Sequence, residues 1–429
     1  MLRQKELFIL YICVIGLIPA CGGRSAGGGE TNQLEDPTSI PSFQCEDTLG
    51  CVDIPAGDPI HIAWMQATSG AFGLLGQSNI RGAEVALNEI GFELLGHPIQ
   101  WDGVDSRCSH EGGQAAGELL AEDPSIVAII GPTCAPEAQG GLSALSDAGF
   151  AIISPSITHP DFTDPNSSVY TPGLIRVAHN DALQGRIAAE YAFKDLGLTT
   201  AATIVDGSVY SLALQKSFSE TFSSLGGTIV SQSTADPGAT DLTDLLTQLA
   251  GVSPQILYFP VFQPLGASIA SQKCGIPGLS GVQMMSADGL LSSTFPSTVG
   301  DCSVGLLLTG AYIDPSQQSS FLNAYLQEFG EGPTSPFAPQ AYDAVRLLAA
   351  AVEAVSTQDI NGVLHVPRQA LRDTLFATAN FAGISGALSC SPNGDCATGQ
   401  SMAVFQINQE NVSGALDLLT NAPIWTPKR

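Results

Sequence analysis

Ser154, Ser156, His159 and Asp161 crowd one short loop, and together they offer a nucleophile, a base and an acid. Side chains this close together on one loop seldom converge on a single reacting atom, as a hydrolytic triad must. The chain also lacks the GxSxG turn that presents a serine above a sheet. The same hydroxyls suit a different chemistry. Ser156, Ile157 and Thr158 follow the apolar run 150–153. Thr133 follows the apolar run Ile126–Ile130 and precedes a stretch of small and apolar residues, 136–148, that fits a helix. The first turn of a helix carries N–H groups without intrahelical partners and the positive end of the helix dipole, so it favours an anion. The two loops therefore read as a preformed cradle for a small carboxylate, with Thr133, Ser156 and Thr158 adding hydroxyl donors. An ordinary strand-to-helix turn with solvated hydroxyls shows the same residues.

The elements around the cradle follow from punctuation and period. Gly131-Pro132 ends the first run, Gly149 ends the helix, and 150–153 is a second buried strand, so 126–153 is one βαβ unit with parallel strands. Both cradle loops leave from carboxyl ends of strands, where open α/β sheets bind ligands. Upstream stand a strand (60–66), a glycine-punctuated loop (67–76), a helix (78–90), a strand (99–102) and a helix (111–122); 170–176 adds an edge. A helix at 182–196 then opens a fresh series, with strands at 201–205, 228–233, 256–259, 283–287 and 305–311. Helices at 212–225, 242–249 and 265–272 alternate with these strands. Helices at 321–329, 338–355 and 367–378 and a strand-like run at 401–406 finish the chain. The fold class is α/β, with two doubly wound lobes. Lobe one takes 59–179 and 313–386, and lobe two takes 180–312 and 387–425. Crossovers are placed near 178–181, 309–313 and 384–398, and a cleft between lobes joined in this way closes by hinge motion. Asp181 and Asp206 read as helix caps, and Trp64, Arg81 and Arg176 as packing or surface.

A chain of 429 residues with 44% hydrophobic and 13% charged content has a sizeable core and room for two domains. Its formal net charge of −26 argues against nucleic acid or an anionic membrane surface as partner. Arg3 and Lys5 precede an apolar stretch, 7–18, too short to span a bilayer comfortably. It ends Leu17-Ile18-Pro19-Ala20-Cys21-Gly22, which resembles a bacterial lipobox. The resemblance implies a signal peptide over 1–20 and a lipid on Cys21; a plain signal peptide is the alternative. Residues 21–58, rich in Gly, Ser, Pro and acids, read as a flexible tether. Without Cys13 and Cys21, the ten cysteines leave Cys45, Cys51, Cys108, Cys134, Cys274, Cys302, Cys390 and Cys396. An even number in an exported chain reads as disulfides, and nearest neighbours suggest 45–51, 108–134, 274–302 and 390–396 among the many connectivities allowed. No CxxC or HxxxH spacing points to a metal.

From residue 60 to 407 the chain resembles the periplasmic leucine/isoleucine/valine-binding proteins, type I solute-binding proteins of ABC importers. The resemblance rests on ATSGAFGLLGQSNIRGAEVALNEI, the cysteines at 108 and 134, IIGPTCAPE, AIISPSITHPDFT, IVDGSVYSLAL, ILYFPVF and MMSADGL, in that order. It implies two Rossmann-like lobes with three crossovers that trap a small molecule, no enzymatic activity and no cofactor. It places the family's carboxylate clamp on the loop after Cys134, covering Ala135 and Pro136, and on Thr158. Ala135 stands where relatives use serine. A covering aromatic of the first loop falls near Leu74-Leu75, where this chain has no tyrosine. Further aromatics match Tyr210 and Phe262, and the acid that holds the α-ammonium matches Asp288. The implied protein is a monomeric lipoprotein of the periplasm or cell surface, touching the membrane through its anchor alone. It passes an amino-acid-like ligand to an ABC permease; a ligand sensor docking on a receptor is the alternative.

Overall fold

The computed structural model describes residues 43–397 and 401–427. The expected signal peptide, 1–20, and the lipidated Cys21 lie outside the described residues. In chain order the elements begin with β1 (Cys51–Ile54), β2 (Ile60–Gln66), α1 (Gly73–Glu89), β3 (Glu93–Leu94), β4 (His97–Asp105) and α2 (His110–Ala121). They continue with β5 (Ile126–Ile130), α3 (Ala135–Asp147), β6 (Ala151–Ser154), β7 (Leu174–Arg176), α4 (Asp181–Glu190), β8 (Thr200–Val205), α5 (Val209–Ser224), β9 (Thr228–Thr234) and α6 (Thr243–Gly251). Next come β10 (Ile256–Tyr258), α7 (Leu265–Lys273), β11 (Gln283–Ser286), α8 (Phe295–Val299), β12 (Leu307–Tyr312), α9 (Pro315–Phe329) and α10 (Ala338–Val355). The chain closes with β13 (Thr357–Gln358), β14 (Leu364–Pro367), α11 (Arg368–Phe376), β15 (Phe381–Gly383), β16 (Gly386–Leu388), β17 (Ser401–Gln406) and α12 (Gln409–Ser413).

Twelve of the described strands make two six-stranded sheets, ordered β3-β4-β2-β5-β6-β7 and β17-β12-β11-β10-β8-β9, and the rest make a small sheet β1-β14-β13 and the pair β15-β16. Each six-stranded sheet has five parallel strands and one antiparallel edge strand, β3 in the first sheet and β17 in the second. Central strands read as continuous apolar runs because helices cover both faces; every residue of β5 and β6 is buried. The sheets carry separate cores. One gathers Ile62, Ile130, Ile153, Val345 and Leu348, and the other gathers Ile204, Leu257, Met284 and Leu308. This is the two-lobed, doubly wound fold expected from the sequence.

Four expectations need correction. The glycine-rich stretch at 67–76 is not all loop, since α1 starts at Gly73. Gly76 is there for close approach, because a Cβ would lie 1.9 Å from the Ala67 carbonyl oxygen. The tether does not extend to 58. Val52 and Ile54 of β1 are buried in the first core, and Asp47 accepts hydrogen bonds from the Gln369 and Ala370 N–H groups at the start of α11. Residues 387–397 pack with lobe one, not lobe two. Leu388 and Cys396 belong to the first core and Asp395 bridges to Arg176, so the stretch stays with lobe one as far as Ala397. Of the two readings given for Arg176, packing or surface, the surface one falls, because the residue is fully buried. The four disulfides join the nearest-neighbour pairs, Cys45–Cys51, Cys108–Cys134, Cys274–Cys302 and Cys390–Cys396. No helix among the described residues is long and apolar enough to cross a membrane.

Candidate functional site

Strand order fixes where the site lies. In each sheet the chain winds outward in both directions from a central pair, β2 and β5 in the first lobe, β8 and β10 in the second. Loops at the carboxyl ends of such a pair leave a crevice between them. Phe72 follows β2, Thr133 follows β5, Asp206 follows β8 and Phe262 follows β10. Together they help enclose a cavity of about 200 Å³ between the lobes. Leu75, Thr133, Ala135, Pro136, Ser156, Ile157 and Thr158 line it from lobe one, beside the Cys108–Cys134 disulfide. Tyr210, Phe262 and Asp288 line it from lobe two. Every ligand-contact residue expected from the sequence therefore stands on one cavity, and the triad-like loop contributes only Ser156 of its four reactive side chains.

The first-lobe wall spends its polar groups internally. Thr133 Oγ1 donates to Gln66 Oε1 at 2.7 Å and accepts from the Ala67 N–H at 2.8 Å. Ser156 Oγ donates to the Thr133 carbonyl at 2.7 Å and accepts from Asn79 Nδ2 at 2.9 Å. Each hydroxyl has a single proton to donate, so neither supplies the extra donor expected of it. Beneath them Glu137, fully buried in the first turn of α3, accepts from the Thr133 N–H and the Ser106 hydroxyl. Burial raises its carboxyl to about 7 against the pull of these donors. Its signal was legible, since an acid in the first turn after a cap is a helix-start pattern. What remains for an anion is the first-turn N–H of Ala135, which has no partner within its helix, and the side of Thr158.

The second-lobe wall is aromatic and acidic. Tyr210 donates to Asp288 Oδ1 at 2.9 Å and accepts from the Gly289 N–H at 3.0 Å, which fixes both side chains. Its ring packs on Phe262 with centroids 4.5 Å apart. Phe262 meets Phe72 of the opposite lobe edge to face at 4.9 Å. Phe72 thus supplies a first-loop ring two residues before the position at which it was expected. Phe337 lines the cavity too and stacks on His179 at 6.0 Å.

Asp181 was read as a cap, but Asn180 caps α4 by accepting from the Leu183 N–H. Asp181 itself is fully buried, and neither carboxylate oxygen makes a well-formed hydrogen bond. Burial, and then the charge of Asp288, hold it well above the usual carboxylate range, while the neighbouring Thr158 hydroxyl opposes them. Asp206 also lines the cavity and accepts from the Ser208 N–H. No Lys or Arg lines it. The metal-ligating types that cluster most closely among the described residues are Cys108, Cys134 and Glu137. The two sulfurs are bonded to each other, so that cluster offers no thiolate.

A sequence profile described as periplasmic binding protein matches residues 59–412. The chain is 25% identical over 307 residues to the Leu/Ile/Val-binding protein BraC3 of Rhizobium johnstonii, covering 71% of this chain and 82% of that one. The branched-chain amino acid transporter substrate-binding protein LivJ of Streptococcus pneumoniae, solved with isoleucine, superposes with a TM-score of 0.73 at 22% identity, over 86% of this chain and all of that one. A solute-binding protein of an ABC transporter from R. palustris, solved with 4-hydroxybenzoate, superposes with a TM-score of 0.74 at 20% identity, covering 86% and 97%. At these identities the structural likeness speaks for the fold.

Proposed function

Because the chain belongs to the periplasmic binding protein family, whose members bind solutes and are not enzymes, we propose that it captures an amino-acid-like zwitterion between its lobes. A branched-chain or other apolar amino acid fits best, delivered to an ABC importer by a protein held outside the cytoplasmic membrane through a lipid on Cys21. Thr133, Ala135, Pro136, Ser156, Ile157 and Thr158 form the carboxylate side; Leu75, Tyr210 and Phe262 surround the apolar part, and Asp288 takes the ammonium. Asp181 joins Asp288 on the ammonium side, and Phe72 and Phe337 extend the apolar lining.

The observation that carries this reading is the charge of the cavity. Asp288 and Asp206 line it and no Lys or Arg does, while Asp181 behind them is held toward its neutral form by burial and by Asp288. A cationic nitrogen desolvated there gains charge-assisted partners, whereas a ligand bearing only a carboxylate meets like charge. The carboxylate of a zwitterion turns instead to the first turn of α3. A capture protein of this kind works by differential affinity, because a ligand that contacts both lobes shifts the population toward the closed state.

Thermal unfolding of the chain from residue 30 onward, scanned against amino acids, amides and aryl carboxylates, tests the reading. A cognate ligand at a hundred times its Kd adds roughly 2.7 kcal/mol of stability. Stabilisation by leucine, isoleucine or valine and not by benzoate is the expected result. Stabilisation by benzoate alone overturns the role given to Asp288, and no stabilisation by any amino acid overturns the ligand class.

A further inference from the structure

The loop closed by Cys390–Cys396 has no part in the cavity, yet it carries the acid that neutralises the most deeply buried cation of the described residues. Arg176, at the end of β7, is fully buried, and its Nε donates to Asp395 Oδ1. The same guanidinium donates to the His159 carbonyl at 2.6 Å and to Thr163 Oγ1 at 3.0 Å, and so holds the chain just beyond Thr158. Asp395 Oδ1 also accepts from Thr163 Oγ1 at 3.1 Å, and its Oδ2 accepts from Asn180 Nδ2 at 3.3 Å. Asn180 is the residue whose other amide atom caps α4, and the Asp181 N–H donates to the Thr158 carbonyl at 2.9 Å. One carboxylate therefore bonds to Arg176, which holds the residue after Thr158, and to Asn180, the residue before Asp181.

The loop is seated by its backbone. The Arg176 N–H donates to the Gly394 carbonyl at 2.9 Å, and the Cys396 N–H donates to the Arg176 carbonyl at 3.0 Å, extending the first sheet past its β7 edge. Gly394 has a φ of +94°, and a Cβ there would lie 2.5 Å from the Leu174 carbonyl oxygen. The disulfide closes the loop on itself, while Arg176 ends β7 of the first sheet and Asn180 precedes α4. The ion pair thus ties this loop to the segment that runs from β7 into α4.

We infer that Asp395, presented by the Cys390–Cys396 loop to Arg176 and Asn180, is a positioning residue that holds the Thr158 side of the cleft and the start of α4 in the geometry that receives ligand. The effect on ligand rests on the proposed amino-acid reading, but the ordering of these segments does not. A guanidinium without access to water and stripped of its carboxylate keeps its charge, so its remaining partners, the His159 carbonyl and Thr163, must rearrange around it.

The test compares the full mature chain with Cys390→Ser/Cys396→Ser, with Asp395→Asn, and with Arg176→Met/Asp395→Leu, which removes both charges and so keeps the question open if Asp395→Asn does not fold. Cys274→Ser/Cys302→Ser, a disulfide of lobe two that does not line the cavity, serves as the control. Hydrogen–deuterium exchange without ligand is read first. Faster exchange confined to 157–163 and 178–185 in the first three variants, and absent in the control, is expected. Unchanged exchange there, or the same change in the control, overturns the inference. Leucine is the probe of binding: its affinity should fall by about tenfold or more in the charge-free variant and stay unchanged in the control. If the wild-type chain binds no leucine, the ligand reading fails and the exchange measurement still decides this one. Wild-type leucine affinity in the charge-free variant overturns the positioning role even if that variant unfolds at a lower temperature.

Discussion

The two walls of the cleft are built on the same strand plan and prepared in opposite ways. On the first lobe Glu137, Ser106, Thr133, Gln66, Asn79 and Ser156 bond one another, so the wall is rigid before any ligand arrives. On the second lobe, the acids Asp288 and Asp206 stand beside aromatic rings, and Asp288 has one bonded oxygen, held by Tyr210. The carboxylate of Asp181 at the crossing makes no well-formed hydrogen bond, with only the Thr158 hydroxyl beside it. The contrast separates two jobs that a single list of lining residues would merge. Groups that satisfy each other set shape, and groups left with spare capacity recognise charge.

Substitutions that exchange the two roles break the comparison most directly. Glu137→Leu leaves the Thr133 N–H and the Ser106 hydroxyl buried without an acceptor, and should cost about 4 kcal/mol in urea unfolding. Asp288→Asn removes the charge partner of the ammonium but keeps an acceptor for the Tyr210 hydroxyl, and should weaken leucine binding by about 3 kcal/mol, roughly a hundredfold or more by calorimetry, with little loss of stability. Equal stability losses in both variants would mean that the walls are prepared alike.

Acid titration sharpens the same point. The carboxyl of Glu137 stands at about 7 in the folded chain against an ordinary value of 4.5. Its folded value is raised, so between those two values the native state holds a proton that the unfolded chain has lost. Stability then falls as pH rises through that window. Relative to Glu137→Gln, which keeps a neutral acceptor for the same donors, the wild-type chain should lose about 3 kcal/mol between pH 4.5 and 7.5. Parallel stability curves for the two proteins would remove the buried acid from this account.

Much of the plan was legible in sequence because it follows from period and punctuation. Strand 126–130, helix 136–148 and strand 150–153 lie within a residue or two of β5, α3 and β6. The features that escaped depend on what lies across space. Asp181 reads like a helix start because Asn180 precedes it, and only burial beside Asp288 sets it apart. Arg176 reads only as packing or surface because its partner, Asp395, lies far along the chain in a disulfide loop. Hydroxyls at 133 and 156 read as ligand donors, since no local pattern reveals that Gln66 and the Thr133 carbonyl already take their protons. Local rules find the elements, and the commitments between elements decide which polar groups remain for a ligand.

A smaller effect is expected where the lobes touch. Phe72 and Phe262 make an aromatic contact across the cleft at 4.9 Å. Phe72→Ala should lose that contact in the closed state alone, and weaken leucine by about 1 kcal/mol or somewhat more, chiefly through faster release. Unchanged dissociation in stopped-flow would place the ring outside the closing step.

The mildest change probes the first wall at the start of α3, where the Ala135 N–H has no partner within the helix. Ala135 lies at the start of α3 and lines the cavity, and its methyl group can neither donate nor accept. If the ligand carboxylate rests on the Ala135 N–H, a hydroxyl placed there by Ala135→Ser reaches the same oxygen. Affinity for leucine should then rise by about 1 kcal/mol, several-fold, the usual net worth of one hydrogen bond. The same hydroxyl has no such partner if the carboxylate sits elsewhere, and it would then cost a little by desolvation. The sign of this change therefore orients the ligand in the cleft: a gain puts the carboxylate on lobe one and the ammonium on Asp288, and a loss reverses or displaces it.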